Sequence, residues 1–257
     1  MEVEYYFENG IAEIRLNRPE KRNALSRELI EAISAAIKRA SGQTGNRLTL
    51  ITANGPAFCA GMDLAEMQQR AAAANADELF DQDSQAYRNM LVAILDLKMP
   101  TVAALQGPAV AGGLGIVLAC DLVVMHEKAF LALPEPKRGI VAAMVMPLLV
   151  YRTGVGAANH VLLSGQRVTS EEALRMNLCH RVASPDEYRT KLHEYCQTIL
   201  TGAPQALALT KKHLAHCSQM DVVKLIDQSI AVSAFSRESS EAREGLAAFL
   251  EKRDPRW

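Results

Sequence analysis

The chain has almost no excess of either charge: 28 Lys and Arg stand against 29 Asp and Glu in 257 residues. Such a balance sets up no overall field for nucleic acid or an anionic membrane, so any basic binding surface must be local. Cysteine is sparse: Cys59, Cys120, Cys179, Cys196 and Cys217 are odd in number and none form a CxxC pair, which argues against a disulfide framework or a structural zinc site. No metal is expected, and a reducing cytoplasm is the expected location. No apolar run approaches the length needed to span a bilayer, and Met1 leads within two residues into strand-like sequence, without a long apolar signal region. Neither membrane nor nucleic acid is therefore an expected partner. No repeat of fixed period is visible. What is present is enough chain to bury a substantial core, as one large domain or a domain with an appendage.

Local patterns predict an α/β fold. Ala12, Ile14 and Leu16 alternate with Glu13 and Arg15, the period of a half-buried strand, after a turn at Glu8-Asn9-Gly10. Ser26 reads as an N-cap for a helix running to Gly42, since Leu29, Ile30, Ile33, Ile37 and Ala40 follow at helical spacing. Strands are expected at 48–53, 101–106, near 121–126 and at 129–133, with an apolar helix after Gly112. Thr169 and Glu172 form a capping box, and Ser184 with Pro185 marks a further helix start. From 186 onward the pattern is helical, broken at Gly202, Pro204 and Ser218, giving a core over 1–185 and a helical region over 186–257. The polar, alanine-rich stretch 71–85 reads equally as a mobile cover over a site or as a solvated surface helix.

Two glycine-bearing segments carry the chemistry: AFCAGMDL at 57–64 and GPAVAGGLGIVLACD at 107–121. Each puts a small-residue turn before a helix, where backbone N–H groups are presented without obstruction, and two such donors can clamp one oxyanion. With NRPEKRNAL at 17–25 and SSEAREGLAAFLEKR at 239–253, the chain resembles the crotonase superfamily, the enoyl-CoA hydratase/isomerase family. That resemblance implies a spiral of ββα units with a helical C-terminal region. It also implies an acyl-CoA thioester substrate, no cofactor beyond the substrate's own CoA, and assembly as a homotrimer or a dimer of trimers. The implied oxyanion donors are the N–H groups of Met62 and Gly112. The implied CoA contacts are Arg22, Ala24 and Leu25 in the first motif and Ala60, Asp63 and Leu64 in the second. Arg18, Lys21 and Arg22 give the first motif local positive charge for phosphates.

The sequence departs from the family pattern twice. Ala111 stands where a glycine is common, which is tolerable if its φ is negative. Gly115 stands where hydratases carry the first of two catalytic glutamates, and a glycine cannot transfer a proton. The second glutamate position is Glu135, held between Pro134 and Pro136, and a partly apolar pocket would raise its pKa into a useful range. Asp63, Glu66, Asp121 and Glu127 read as structural, and His126, His160 and His180 lack a metal-ligand spacing or a nucleophile neighbour. One carboxylate suffices to move a proton between C2 and C4 of an enoyl thioester while the oxyanion hole holds the enolate. Chemistry therefore favours double-bond isomerisation. Hydration of a 2-enoyl-CoA is the alternative, followed by thioester hydrolysis or other enolate chemistry, and by a catalytically silent CoA-binding protein. A dinucleotide-binding dehydrogenase fits poorly, because AGGLG lacks the full GxGxxG and an acidic ribose partner.

Overall fold

The computed structural model describes residues 1–218 and 220–257. β1 (Val3–Glu8) and β2 (Ile11–Leu16) form an antiparallel hairpin. Its turn residues Asn9 and Gly10 have φ of 50° and 80°, a region these two residue types tolerate. The Ser26 hydroxyl accepts the Leu29 N–H at 3.1 Å and opens α1 (Arg27–Gly42), which buries the apolar stripe expected of it. β3 (Leu48–Ala53) then runs parallel to β2. After α2 (Leu64–Ala71) and α3 (Ala76–Leu95), the chain makes two successive turns of one pattern. β4 (Thr101–Leu105) joins the large sheet, β5 (Ala109–Val110) joins a second layer, and α4 (Gly112–Ala119) follows. β6 (Leu122–His126) and β7 (Phe130–Ala132) repeat the step and lead to α5 (Met146–Ser164). β8 (Arg167–Thr169), α6 (Ser170–Arg175) and β9 (Arg181–Ala183) complete the spiral.

The large sheet has the order β1-β2-β3-β4-β6-β9, parallel after the first pair, and the smaller has the order β5-β7-β8. Single parallel bridges, Leu25 to Met62 and Cys59 to Ala109, extend the smaller layer across the segments that carry the site motifs. α4 lies between α3 and α5, with all eight of its residues buried. A helix apolar on every face has no other stable location in water. This is the expected α/β spiral with a helical C-terminal region.

After Ala183 the described elements are helices: α7 (Tyr188–Leu200), α8 (Pro204–Cys217), α9 (Val222–Arg237) and α10 (Ser240–Glu251). The capping box at Thr169 and Glu172 forms as expected. The helix expected to start at Ser184 begins instead at Tyr188. Ser184 closes a turn first, with its hydroxyl donating to the Glu187 carboxylate and its carbonyl accepting the Tyr188 N–H. α9 packs on α3 and α5, and α10 packs on a 3₁₀ turn at Glu135–Arg138. A Cβ at Gly245 would lie 2.3 Å from the Arg138 backbone, so this contact between α10 and the turn requires glycine. Among the described residues no helix is long and apolar enough to cross a membrane.

Candidate active site

Main-chain hydrogen bonds lace the three sequence motifs together. Ala60 N–H donates to the Arg22 carbonyl at 3.0 Å, Leu25 N–H to the Gly61 carbonyl at 2.7 Å, and Asp63 N–H to the Leu25 carbonyl at 3.0 Å. On the other side, Val110 N–H donates to the Cys59 carbonyl at 2.9 Å. Gly61 has a φ of +91°, and a Cβ there would lie 2.7 Å from the Ala111 Cβ and 3.5 Å from the Gly112 nitrogen. The peptide leading into Met62 therefore lies beside the peptide leading into Gly112, a closeness that only glycine permits. Among the described residues, no acceptor takes the N–H of Met62 or of Gly112. Both are free to serve a ligand, as orphan donors at a helix start commonly do.

Glu135 reaches the same place through the sheet. Val110 pairs with Ala132 in the parallel β5–β7 ladder, and Ala111 N–H donates to the Ala132 carbonyl at 2.9 Å. The chain leaving β5 enters Gly112, and the chain leaving β7 enters Glu135, so the two arrive side by side. Glu135 is buried, and its Oε2 has no hydrogen-bond partner. Burial pushes its pKa up to about 7, against the opposing pull of a backbone hydrogen bond and of Arg138. Desolvation of the charged form is the physical cause.

One expectation changes. Ala111 has φ 53° and ψ −129°, not a negative φ. The tight turn from β5 into α4 imposes this conformation, which strains a residue bearing a Cβ by about 1–3 kcal/mol. Gly115, at the position of the family's first glutamate, has no room for a side chain. A Cβ there would lie 2.0 Å from the Tyr87 hydroxyl and 3.2 Å from Val145 Cγ2.

Some of the local charge is also spent within the protein. The Arg18 guanidinium, expected to face phosphates, pairs with Asp63 at 2.8 Å and donates to the Ala24 carbonyl at 2.9 Å. Asp63 also caps α2 by accepting the Ala65 and Glu66 N–H groups. Lys21 and Arg22 remain exposed, while Ala24 and Leu64 are partly buried at the margin of the same loops. Glu66 accepts the Arg27 N–H, and Asp121 accepts from Thr101 and pairs with Lys211. These are structural tasks, as expected of those carboxylates. His180 Nδ1 accepts the Val123 N–H, also a structural role. A narrow cleft next to Met62 is lined by Leu25, Ile30 and Met67 together with Arg70, Asp83 and Arg237.

Asn23 and Tyr87 belong to the site's support but carry no motif signal of their own. Asn23 is fully buried at φ 52°; its amide donates to the Asn54 and Ala57 carbonyls and its side-chain oxygen accepts the Arg18 N–H. An asparagine in a tight loop is the available signal, since that residue enters the left-handed region more readily than most. Tyr87 is buried beneath α4, with its hydroxyl donating to the Gly112 carbonyl at 2.7 Å. Nothing local in α3 announces that contact.

A ββα spiral carrying a buried carboxylate beside the start of an apolar helix defines a crotonase-type fold, and solved structures agree. An enoyl-CoA hydratase/isomerase from Pseudoalteromonas atlantica superposes with a TM-score of 0.86 over all of both chains at 28% identity. A family model described as enoyl-CoA hydratase/isomerase matches residues 6–257. The chain belongs to the enoyl-CoA hydratase/isomerase family. It is 37% identical to a Thermus thermophilus protein provisionally named an enoyl-CoA hydratase, over 96% of this chain and 97% of that one. It is 35% identical to a carnitinyl-CoA dehydratase of Salmonella enteritidis, over 97% of this chain and 95% of the relative.

Proposed function

We propose that this family member isomerises the double bond of an enoyl-CoA thioester with Glu135 as its single acid/base group. From a 3-enoyl thioester, the Glu135 carboxylate takes a C2 proton, and the electron pair moves into the thioester carbonyl. The resulting oxyanion is held by the Met62 and Gly112 N–H groups. The proton then returns to C4 as the C2–C3 double bond forms, with no atom gained or lost. The observation that carries this reading is the state of Glu135, buried, with one carboxylate oxygen unpartnered and its pKa pushed up to about 7. A group poised near neutrality can both accept and return a proton. Supporting it, the space beside Gly115 is taken by a tyrosine, so the two-carboxylate activation of water is not built in.

The CoA moiety is assigned to Arg22, Ala24, Leu25, Ala60, Asp63 and Leu64 by the family likeness, and no further cofactor is required. Self-association as a trimer or dimer of trimers is supported by large apolar side chains left exposed on α8 and α9, among them Leu209, Leu214 and Phe235. The cysteine usage supports a cytoplasmic location. Hydration is the competing reading, favoured by the hydratase and dehydratase names of the relatives. A panel of 2-enoyl and 3-enoyl thioesters of several lengths tests the assignment, with products identified as well as rates measured. Interconversion of the two enoyl isomers is expected; a 3-hydroxyacyl thioester as the main product overturns isomerisation.

A further inference from the structure

The two departures from the family pattern, Ala111 and Gly115, meet on one side chain. We propose that Tyr87 is a positioning residue that holds the Gly112 N–H in place against the strain at Ala111 and, by filling the space beside Gly115, excludes a second carboxylate from the site. The inference rests on the acyl-CoA reading above and specifies how this chain's oxyanion loop is kept in order.

The geometry carries both halves. The Tyr87 hydroxyl donates to the Gly112 carbonyl at 2.7 Å, and Ala111 N–H donates to the Ala132 carbonyl at 2.9 Å. These two bonds tie the peptides that flank the Ala111–Gly112 peptide, the bearer of the candidate oxyanion donor, whose own carbonyl accepts the Leu114 N–H at 2.9 Å. Those ties matter because Ala111 sits at φ 53°, ψ −129°, which a glycine enters freely and an alanine resists. The ring is 2% exposed. A phenylalanine would fill the same volume, so the hydroxyl's contribution is the bond to Gly112. Burial raises the phenol pKa well above its ordinary value, as do Cys59 and Glu135, so the group remains a protonated donor through the working range. The exclusion is steric. A Cβ at position 115 would lie 2.0 Å from the phenol oxygen and 3.2 Å from Cζ, so residue 115 can carry a side chain only if Tyr87 leaves.

A double-mutant cycle tests the clamp, read by exchange of the C2 proton of butyryl-CoA in D2O and by the near-ultraviolet absorbance of enolised acetoacetyl-CoA bound to the protein. Tyr87→Phe is expected to slow exchange about tenfold with KM within about twofold, and to lower the bound enolate signal in parallel. In an Ala111→Gly background the same change is expected to cost no more than about twofold, because glycine needs no clamp. Equal losses in the two backgrounds overturn the clamp and leave Tyr87 a core side chain. For the exclusion, Gly115→Glu combined with Tyr87→Ala is expected to fold and to hydrate a 2-enoyl-CoA at least about tenfold faster than Tyr87→Ala alone; a double variant that stays unfolded, or hydrates no faster than Tyr87→Ala, overturns it. A parent protein that neither exchanges the C2 proton nor binds acetoacetyl-CoA overturns the acyl-CoA reading itself, a result distinct from an active parent with an additive cycle.

Discussion

Helices α4 and α8 both carry leucine and alanine, and the protein uses them in opposite ways. Every residue of α4 is buried, whereas none of the 14 residues of α8 is, and its Leu209 and Leu214 are 67% and 59% exposed. α4 has no polar residue on any face, so the only stable place for it is between other elements. α8 has lysines and histidines on part of its surface, and its Leu209 and Leu214 meet no core among the described residues. The difference teaches that the floor of the site is finished within one chain, while α8 leaves apolar side chains exposed, as the proposed self-association requires. Changes near α4 should therefore register in chemistry or folding, and changes on α8 in assembly.

The largest expected effect is at Glu135. Glu135→Gln should lower turnover by roughly 100-fold or more with little change in acyl-CoA affinity, measured as kcat and KM on the best substrate. The same variant reports on burial. The native carboxyl, at about 7 rather than the ordinary 4.5, keeps its proton through a pH window in which the unfolded chain has lost it. Its contribution to stability is therefore largest below pH 4.5 and falls as pH rises toward 7. The glutamine variant should exceed the parent in stability by about 3 kcal/mol at pH 8 and match it near pH 4 in denaturant titrations. Equal stability at both pH values would show that the carboxylate is solvated.

Gly112→Pro deletes the N–H at the start of α4 without disturbing a helical hydrogen bond, so a folded variant should lose about 100-fold in kcat. Full activity in that variant removes Gly112 from the oxyanion hole. Gly115→Glu sharpens the contrast further. The change restores the first glutamate of the family pattern, but the Tyr87 hydroxyl occupies the space required. The single variant should instead lose about 3 kcal/mol of stability, or fail to fold, and gain no hydration.

On the other side of the comparison, Leu209→Glu on α8 should change the stability of the isolated chain by less than about 0.5 kcal/mol. It should nonetheless reduce the assembled mass seen by sedimentation. An unchanged mass, or a large loss of stability, would erase the distinction between the two helices. The smallest effect is the shape of the pH profile. With one titrating carboxylate, kcat/KM should rise through a single midpoint near 7 and stay level above it, whereas an acid/base pair would give a bell.

The amino-acid sequence by itself determined the elements whose signals are local. The strand at Leu48–Ala53, the cap at Ser26 and the capping box at Thr169 each depend on side-chain periodicity or on partners within three residues. It also brought the two glycine loops, Glu135 and the family into view, because motif order and spacing survive without coordinates. Tertiary structure alone decided what those motifs meet. Arg18 is spent on Asp63, 45 residues away, and the hydroxyl of Tyr87, 25 residues before Gly112, reaches that residue's carbonyl. The backbone at Ala111 is held at positive φ in the turn between β5 and α4. The physical reason is the same in each case: periodicity and caps are short-range preferences of the backbone, whereas pairing, exclusion and strain depend on which distant atoms the fold brings within a few ångströms.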